Sequence, residues 1–216
     1  MYITELELLT ADLAATKNFY SNMLQFKPAE ESATHCCFAA GNSLLRYVQA
    51  TEGRPFYHIA FGIPNNHLFE AINWISTFTS ILPYSVTEQI ADFEGWNAKA
   101  FYFHDNNSNI LEFITHYDWK LYSDNTFTSS EITGICEIGI VVDDVPAVCN
   151  VITANYQLPL FEKGPHLADF SVIGNSNGMF IVTKEGRGWL PTFRPCEYFP
   201  VRVVVEEKQQ LHTIDF

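Results

Sequence analysis

Apolar and polar positions alternate along YITELELLT (residues 2–10), with Leu6 and Leu8 on one face and Glu5 and Glu7 on the other, which predicts a strand. The period then lengthens. Asp12 is placed to cap a helix in which Phe19, Tyr20, Met23 and Leu24 recur at three-to-four spacing. After an acidic loop at 30–32, the runs His35 to Ala40 and Leu44 to Gln49 flank the turn Gly41-Asn42-Ser43, which predicts a hairpin. A second unit starts with a strand over Tyr57 to Ile63. A break and cap at Pro64-Asn65-Asn66 and a helix marked by Leu68, Ala71, Ile72 and Ile75 follow it. A short strand over Val86 to Ala91 comes next. Then come the runs Ala98 to Phe103 and Ile110 to Thr115, joined by the Asp/Asn/Ser cluster 105–109. In the last of these strands Glu112 shares a face with Ile110 and Ile114. A carboxylate in so apolar a strand needs a cation, a metal or solvent.

The polar and aromatic residues from Tyr117 to Ser130 read as a linker, after which the first unit restarts. ITELELLTADLAA and ICEIGIVVDDVPA align without gaps: Ile3 with Ile135, Glu5 with Glu137, Asp12 with Asp144, Leu13 with Val145. Gly41-Asn42-Ser43 is echoed by Gly174-Asn175-Ser176. Asp144 caps a helix with Pro146 in its first turn and Val145, Val148 and Ile152 on its face. Later strands are predicted at Phe170 to Ile173, Met179 to Lys184 and Tyr198 to Glu206, before a polar tail.

Composition narrows the functional classes. A formal charge of −13 over 216 residues leaves no basic stripe for phosphates, so neither nucleic acid nor an anionic membrane is an expected partner. No apolar run approaches a bilayer span and the start has no signal pattern, which makes a cytoplasmic protein the expectation. The five cysteines are odd in number and lack metal spacing, which argues against a disulfide framework.

The Thr10-Ala11-Asp12-Leu13 start, Phe19-Tyr20, the YHIAF strand at 57–61 and FYFHDNNSNILEF at 101–113 together resemble the vicinal oxygen chelate group. That group includes glyoxalase I, bleomycin-resistance proteins, fosfomycin-resistance transferases and extradiol dioxygenases. The resemblance implies an α+β fold of repeated βαβββ modules, paired into a curled mixed sheet around a concave site. The paired modules would be 1–52 and 53–118 within 1–120, with 121–130 as linker. Residues 131–216 would form a third, degenerate module without a complete site, in which Glu137 is a remnant or salt-bridge partner and whose role is structural, as a lid or a dimer contact. The group's ligand positions fall on Glu5, His58 and Glu112. Strand parity is compatible, since His58 shares a face with the small Ala60 and Gly62.

Two carboxylates and an imidazole suit a divalent ion (Mn, Fe, Zn, Ni or Mg) with positions open to substrate. Glu5 is a candidate ligand or general base. Arg46 is a candidate for orienting an anionic substrate group, or for neutralising Glu5 and Glu112 so that no metal is needed. His104 and Trp96 are further substrate-binding candidates, with Phe93 and Phe38 as other candidate pocket walls. The expectation is a metal-dependent enzyme binding the oxygens of a small molecule. The alternative is a metal-free cup that sequesters an apolar or aromatic ligand, either as monomer or homodimer.

Overall fold

A computed structural model describes residues 1–216. Its strands and helices, in chain order, are β1 (Tyr2–Thr10), α1 (Leu13–Asn18), β2 (Lys27–Glu31), β3 (His35–Ala40) and β4 (Ser43–Gln49), then β5 (His58–Gly62), α2 (Leu68–Ile75), β6 (Ile81–Leu82), β7 (Ala91–Phe93), β8 (Ala98–His104) and β9 (Ile110–His116). The chain continues through β10 (Gly134–Val142), α3 (Val145–Tyr156), β11 (Phe170–Asn175), β12 (Gly178–Lys184), β13 (Gly188–Trp189), β14 (Arg194–Pro195), β15 (Arg202–Glu207) and β16 (Gln210–Asp215). Fourteen of these strands form one mixed sheet; β13 and β14 pair with each other. No helix is long and apolar enough to cross a membrane.

The two aligned segments start their helices alike. Asp12 Oδ1 accepts from the Ala15 amide at 2.9 Å and Asp144 Oδ1 from that of Ala147 at 3.0 Å, each satisfying a donor that the first helical turn leaves free. Each first strand also lies parallel to the last strand of its unit's hairpin, β1 to β4 and β10 to β12. One side of the sheet packs the main core, with Leu6, Leu8, Phe61, Phe113, Ile138 and Ile140 fully buried.

Strand pairing departs from expectation in a way that decides where the site lies. The expected partner of the second unit was the first. Instead β5 runs antiparallel to β10, through Ile59↔Ile138 and Ala60↔Glu137, and parallel to β9. The first unit's β1 pairs mainly with β4 and β15, touching β10 only through Ile3↔Ile135. The segment taken as a polar tail supplies strand β16, antiparallel to β15. A one-sided edge strand carries too few apolar residues for its periodicity to register.

Local corrections share that origin. The acidic loop is the exposed strand β2, held by pairing with β3. Val86 is exposed and unstructured, while the short strands fall at Ile81–Leu82 and Ala91–Phe93, both against β8. The linker is anchored. Asn65 donates to Thr115 Oγ1 and the His116 carbonyl and accepts from the Leu121 amide, and Phe127 is buried edge-on to His67 and Trp74.

The turn between β8 and β9 locks the strand that carries His58. Asp105 Oδ1 accepts from the amides of Asn107 and Asn109, and Oδ2 accepts from Tyr20 Oη and Asn109 Nδ2. Asn109 Oδ1 in turn accepts from the Tyr57 amide at 2.7 Å. The Asx turn thereby fixes β5 against β9 in a register that sets His58 beside Ile110.

Candidate metal centre

His58, Glu112 and Glu137 converge from three neighbouring strands, β5, β9 and β10, with one ligand atom of each lying within 4.8 Å of the others. His58 Nε2 is 3.4 Å from Glu112 Oε2 and 3.9 Å from Glu137 Oε2. All three side chains are buried. Glu137 reaches this face because β10 bulges between Ile135 and Glu137: Ile135 and Ile138 both enter the core, so Cys136 and Glu137 share the outward phase.

The electrostatics of the cluster ask for a cation. Two buried carboxylates lie side by side, and none of the ion pairs that Lys or Arg side chains make reaches either of them. Burial pushes the Glu112 carboxyl well above its usual range and the Glu137 charge adds to this, while the Tyr102 hydroxyl beside it pulls the other way. Glu137 Oε1 is buried without any hydrogen-bond partner, a costly state for a carboxylate oxygen unless something absent from the protein chain meets it. His58 Nδ1 lies 3.3 Å from the Ile110 carbonyl, which can only accept. With Nδ1 donating to that carbonyl, Nε2 is the ring nitrogen that faces the two glutamates. One imidazole and two carboxylates with such an outer partner form a fitting donor set for a divalent ion. Burial, then the Glu137 and Glu112 charges, push the Cys136 thiol well above its usual range, and it donates to the Ala60 carbonyl.

A cleft of about 340 Å³ opens over this cluster. Phe93, Trp96, Tyr102 and Phe170 form part of its wall, and the segment 187–193 supplies the rest through Arg187, Trp189 and Phe193. Trp189 packs on the His58 ring at 5.2 Å between centroids. It fits because residue 139 is glycine; a Cβ there would lie 2.6 Å from the indole.

Of the residues singled out from sequence, the structure brings together His58, Glu112 and Trp96. Glu5, Arg46 and His104 lie elsewhere. Glu5 sits on the half-exposed face of β1, where Arg46 Nε lies 3.4 Å from Glu5 and 3.7 Å from Glu7, and Arg46 Nη2 donates to Glu30 at 2.9 Å. Arg46 does meet Glu5 as one alternative held, but it does not reach Glu112. His104 Nδ1 bonds the Asn109 carbonyl at the hairpin tip, outside the cleft. Phe93 lines the cleft; Phe38 is in the core. His116 faces a separate cavity of about 190 Å³. Burial lowers its pKa.

Glu137, Tyr102, Arg187 and Trp189 were missed as site residues. The signal for Glu137 was present in the repeat itself: in both Ile3-Thr4-Glu5-Leu6 and Ile135-Cys136-Glu137-Ile138 the apolar phase shifts by one across the glutamate, which marks a bulge in each strand. Nothing local in the sequence distinguishes the two glutamates.

No family model and no curated protein matches the sequence. Solved structures do resemble it. A proposed dioxygenase from Bacillus subtilis subsp. subtilis str. 168 superposes with a TM-score of 0.61 at 12% identity, covering 85% of this chain and 63% of that one. The chain shares the fold of that Bacillus protein. It spans less than two thirds of the length of that Bacillus protein. Smaller structures align over about half of this chain. A glyoxalase/bleomycin resistance protein/dioxygenase from Nocardioides has a TM-score of 0.43 at 18% identity, covering 58% of this chain and 87% of its own. A lactoylglutathione lyase from Agrobacterium tumefaciens has a TM-score of 0.44 at 16% identity, covering 54% and 95%. At 12% identity the likeness to the Bacillus protein is one of fold.

Proposed function

We propose that this protein belongs to the vicinal oxygen chelate group and is a metal-dependent enzyme that binds the oxygen atoms of a small molecule, with His58, Glu112 and Glu137 holding the divalent ion. The observation that carries the reading is the buried pair of carboxylates facing His58 Nε2, with Glu137 Oε1 unpartnered and no permanent cation paired with either glutamate. In this reading the units that pair around the site are the second, about 53–118, and the third, about 131–184, which has the two strands β11 and β12 after its helix. The first module then pairs with the β15–β16 hairpin.

The bound ion would supply Lewis-acid stabilisation of negative charge developing on substrate oxygens. The chain's own residues supply the setting. The Ile110 carbonyl fixes the His58 tautomer, Tyr102 stands beside Glu112, and the aromatic walls keep water from competing for the site. Carboxylate-rich ligation favours Mn²⁺ or Fe²⁺, with Ni²⁺ and Zn²⁺ as alternatives. Those same aromatic walls favour the rival reading, a metal-free cup for an aromatic ligand, as the second choice.

Elemental analysis separates the two. The expected result is near one equivalent of a single divalent transition metal in the wild type and loss of it in His58→Ala. A protein that contains no metal, and takes up none of Mn²⁺, Fe²⁺, Ni²⁺ or Zn²⁺ on dialysis, overturns the enzyme reading in favour of the cup.

A further inference from the structure

The cleft over the candidate metal centre has an asymmetry that the ligand set does not account for. Arg187 is the one permanent cation among its lining residues. Its neighbours do not use it up. Its guanidinium carbon lies 4.4 Å from the centroid of the Phe170 ring, and its shortest approach to a carboxylate, from Nε to Asp169 Oδ2, is 3.6 Å, longer than a hydrogen bond. It forms no ion pair with Glu112 or Glu137, whose short contacts are with His58. Stacking on a ring holds the guanidinium plane and leaves its edge of N–H donors free, the geometry that receives a carboxylate through two parallel hydrogen bonds.

The walls of the cleft are aromatic. Trp96 and Phe93 line it with ring centroids 5.9 Å apart, and Trp189 and Phe193 line it from the segment 187–193. A volume of about 340 Å³ is at the small end of ligand pockets, roughly 300–1,000 Å³, and suits a molecule built on a single ring. We propose that the cleft takes a planar, single-ring substrate that carries a pair of metal-directed oxygens at one end and an anionic group, held by Arg187, at the other. This assignment rests on the metal-centre reading for its first end only.

Three hydroxamic acids dissect it, because the hydroxamate supplies two chelating oxygens and the remainder of the molecule can be varied. With Mn²⁺-loaded protein, titration calorimetry should give benzohydroxamate at least about tenfold tighter binding than acetohydroxamate. 4-Carboxybenzohydroxamate should bind about tenfold tighter again, in line with a charge-assisted hydrogen-bonded pair. In Arg187→Gln the carboxylate's advantage should vanish while Mn²⁺ affinity and benzohydroxamate binding stay as in the wild type. Equal affinity for the last two probes in the wild type, or an advantage that survives in Arg187→Gln, overturns the assignment. If the protein binds no metal, 4-methylbenzoate against 4-methylbenzamide on metal-free protein, followed by tryptophan fluorescence, decides the arginine's part: equal affinity overturns it. A preference lost in Arg187→Gln upholds it while the metal reading alone falls.

Discussion

Glu5 and Glu137 occupy equivalent places in two regions built alike, yet one lies on a salted, half-exposed face and the other at the bottom of an aromatic cleft. Both follow a bulge, both precede a capped helix by the same interval, and both lie on a first strand flanked by one parallel and one antiparallel neighbour. The difference comes from the antiparallel neighbour. Opposite β10 lies β5, whose Ala60 faces Glu137 and whose His58 abuts Gly139, with Glu112 next along on β9. Opposite β1 lies β15, where Val204 faces Glu5 and Arg202 faces Glu7, so an arginine paired with Asp215 stands where the other region has its histidine. Arg46 then neutralises the glutamates of β1 from the parallel side. A carboxylate's chemistry here is set by strands distant in sequence, and the strand that carries it is the same in both cases.

The largest expected effect on the comparison comes from the turn that holds the metal-side strands together. Asp105→Ala removes the acceptor for two amides, Tyr20 Oη and Asn109 Nδ2 inside the protein, and should cost about 3 kcal/mol of stability. Chemical denaturation reads this directly, and a loss under about 1 kcal/mol would mean that the turn does not hold β5 in register. Next comes a substitution that tells the two regions apart by sign. In metal-free protein Glu112→Gln relieves a buried charge beside a second one and should raise stability by about 1–3 kcal/mol. Glu5→Gln, on a face already neutralised by Arg46, should not. Destabilisation by Glu112→Gln in chelator-treated protein would contradict the electrostatic picture of the cleft. Smallest of all, Arg46→Met should shift stability by less than about 1 kcal/mol, because its partners are partly solvated. It should leave metal affinity untouched; a drop in affinity would join the two regions into one site.

Much of the fold could be read from the chain because it rests on local chemistry. The period-two strands at 2–10 and 134–142, the aspartate caps at 12 and 144, and the Asp/Asn turn at 105–109 each declare themselves within a few residues. Glu112 stood out as a carboxylate in an apolar strand, on a face with Ile110 and Ile114, whereas His58 was singled out by the family resemblance, with strand parity compatible. What escaped was which strands meet. Two repeats with the same Ile-x-Glu-apolar pattern give equal grounds for pairing the second unit with either, and the resemblance favoured Glu5 although the sheet joins β5 to β10. The cleft walls from 187 to 193 escaped because a short hairpin of glycine, proline and scattered aromatics has no periodicity; its shape follows from Trp189 settling over Gly139.

The measurement that tests the account most directly is the affinity for Mn²⁺, by titration calorimetry, of Glu137→Gln and Glu5→Gln beside the wild type. The expected result is one site per chain, weakened about 100-fold or more by Glu137→Gln and unchanged by Glu5→Gln. The reverse pattern, with Glu5→Gln abolishing binding and Glu137→Gln leaving it intact, would contradict the placement of the metal centre between β5, β9 and β10.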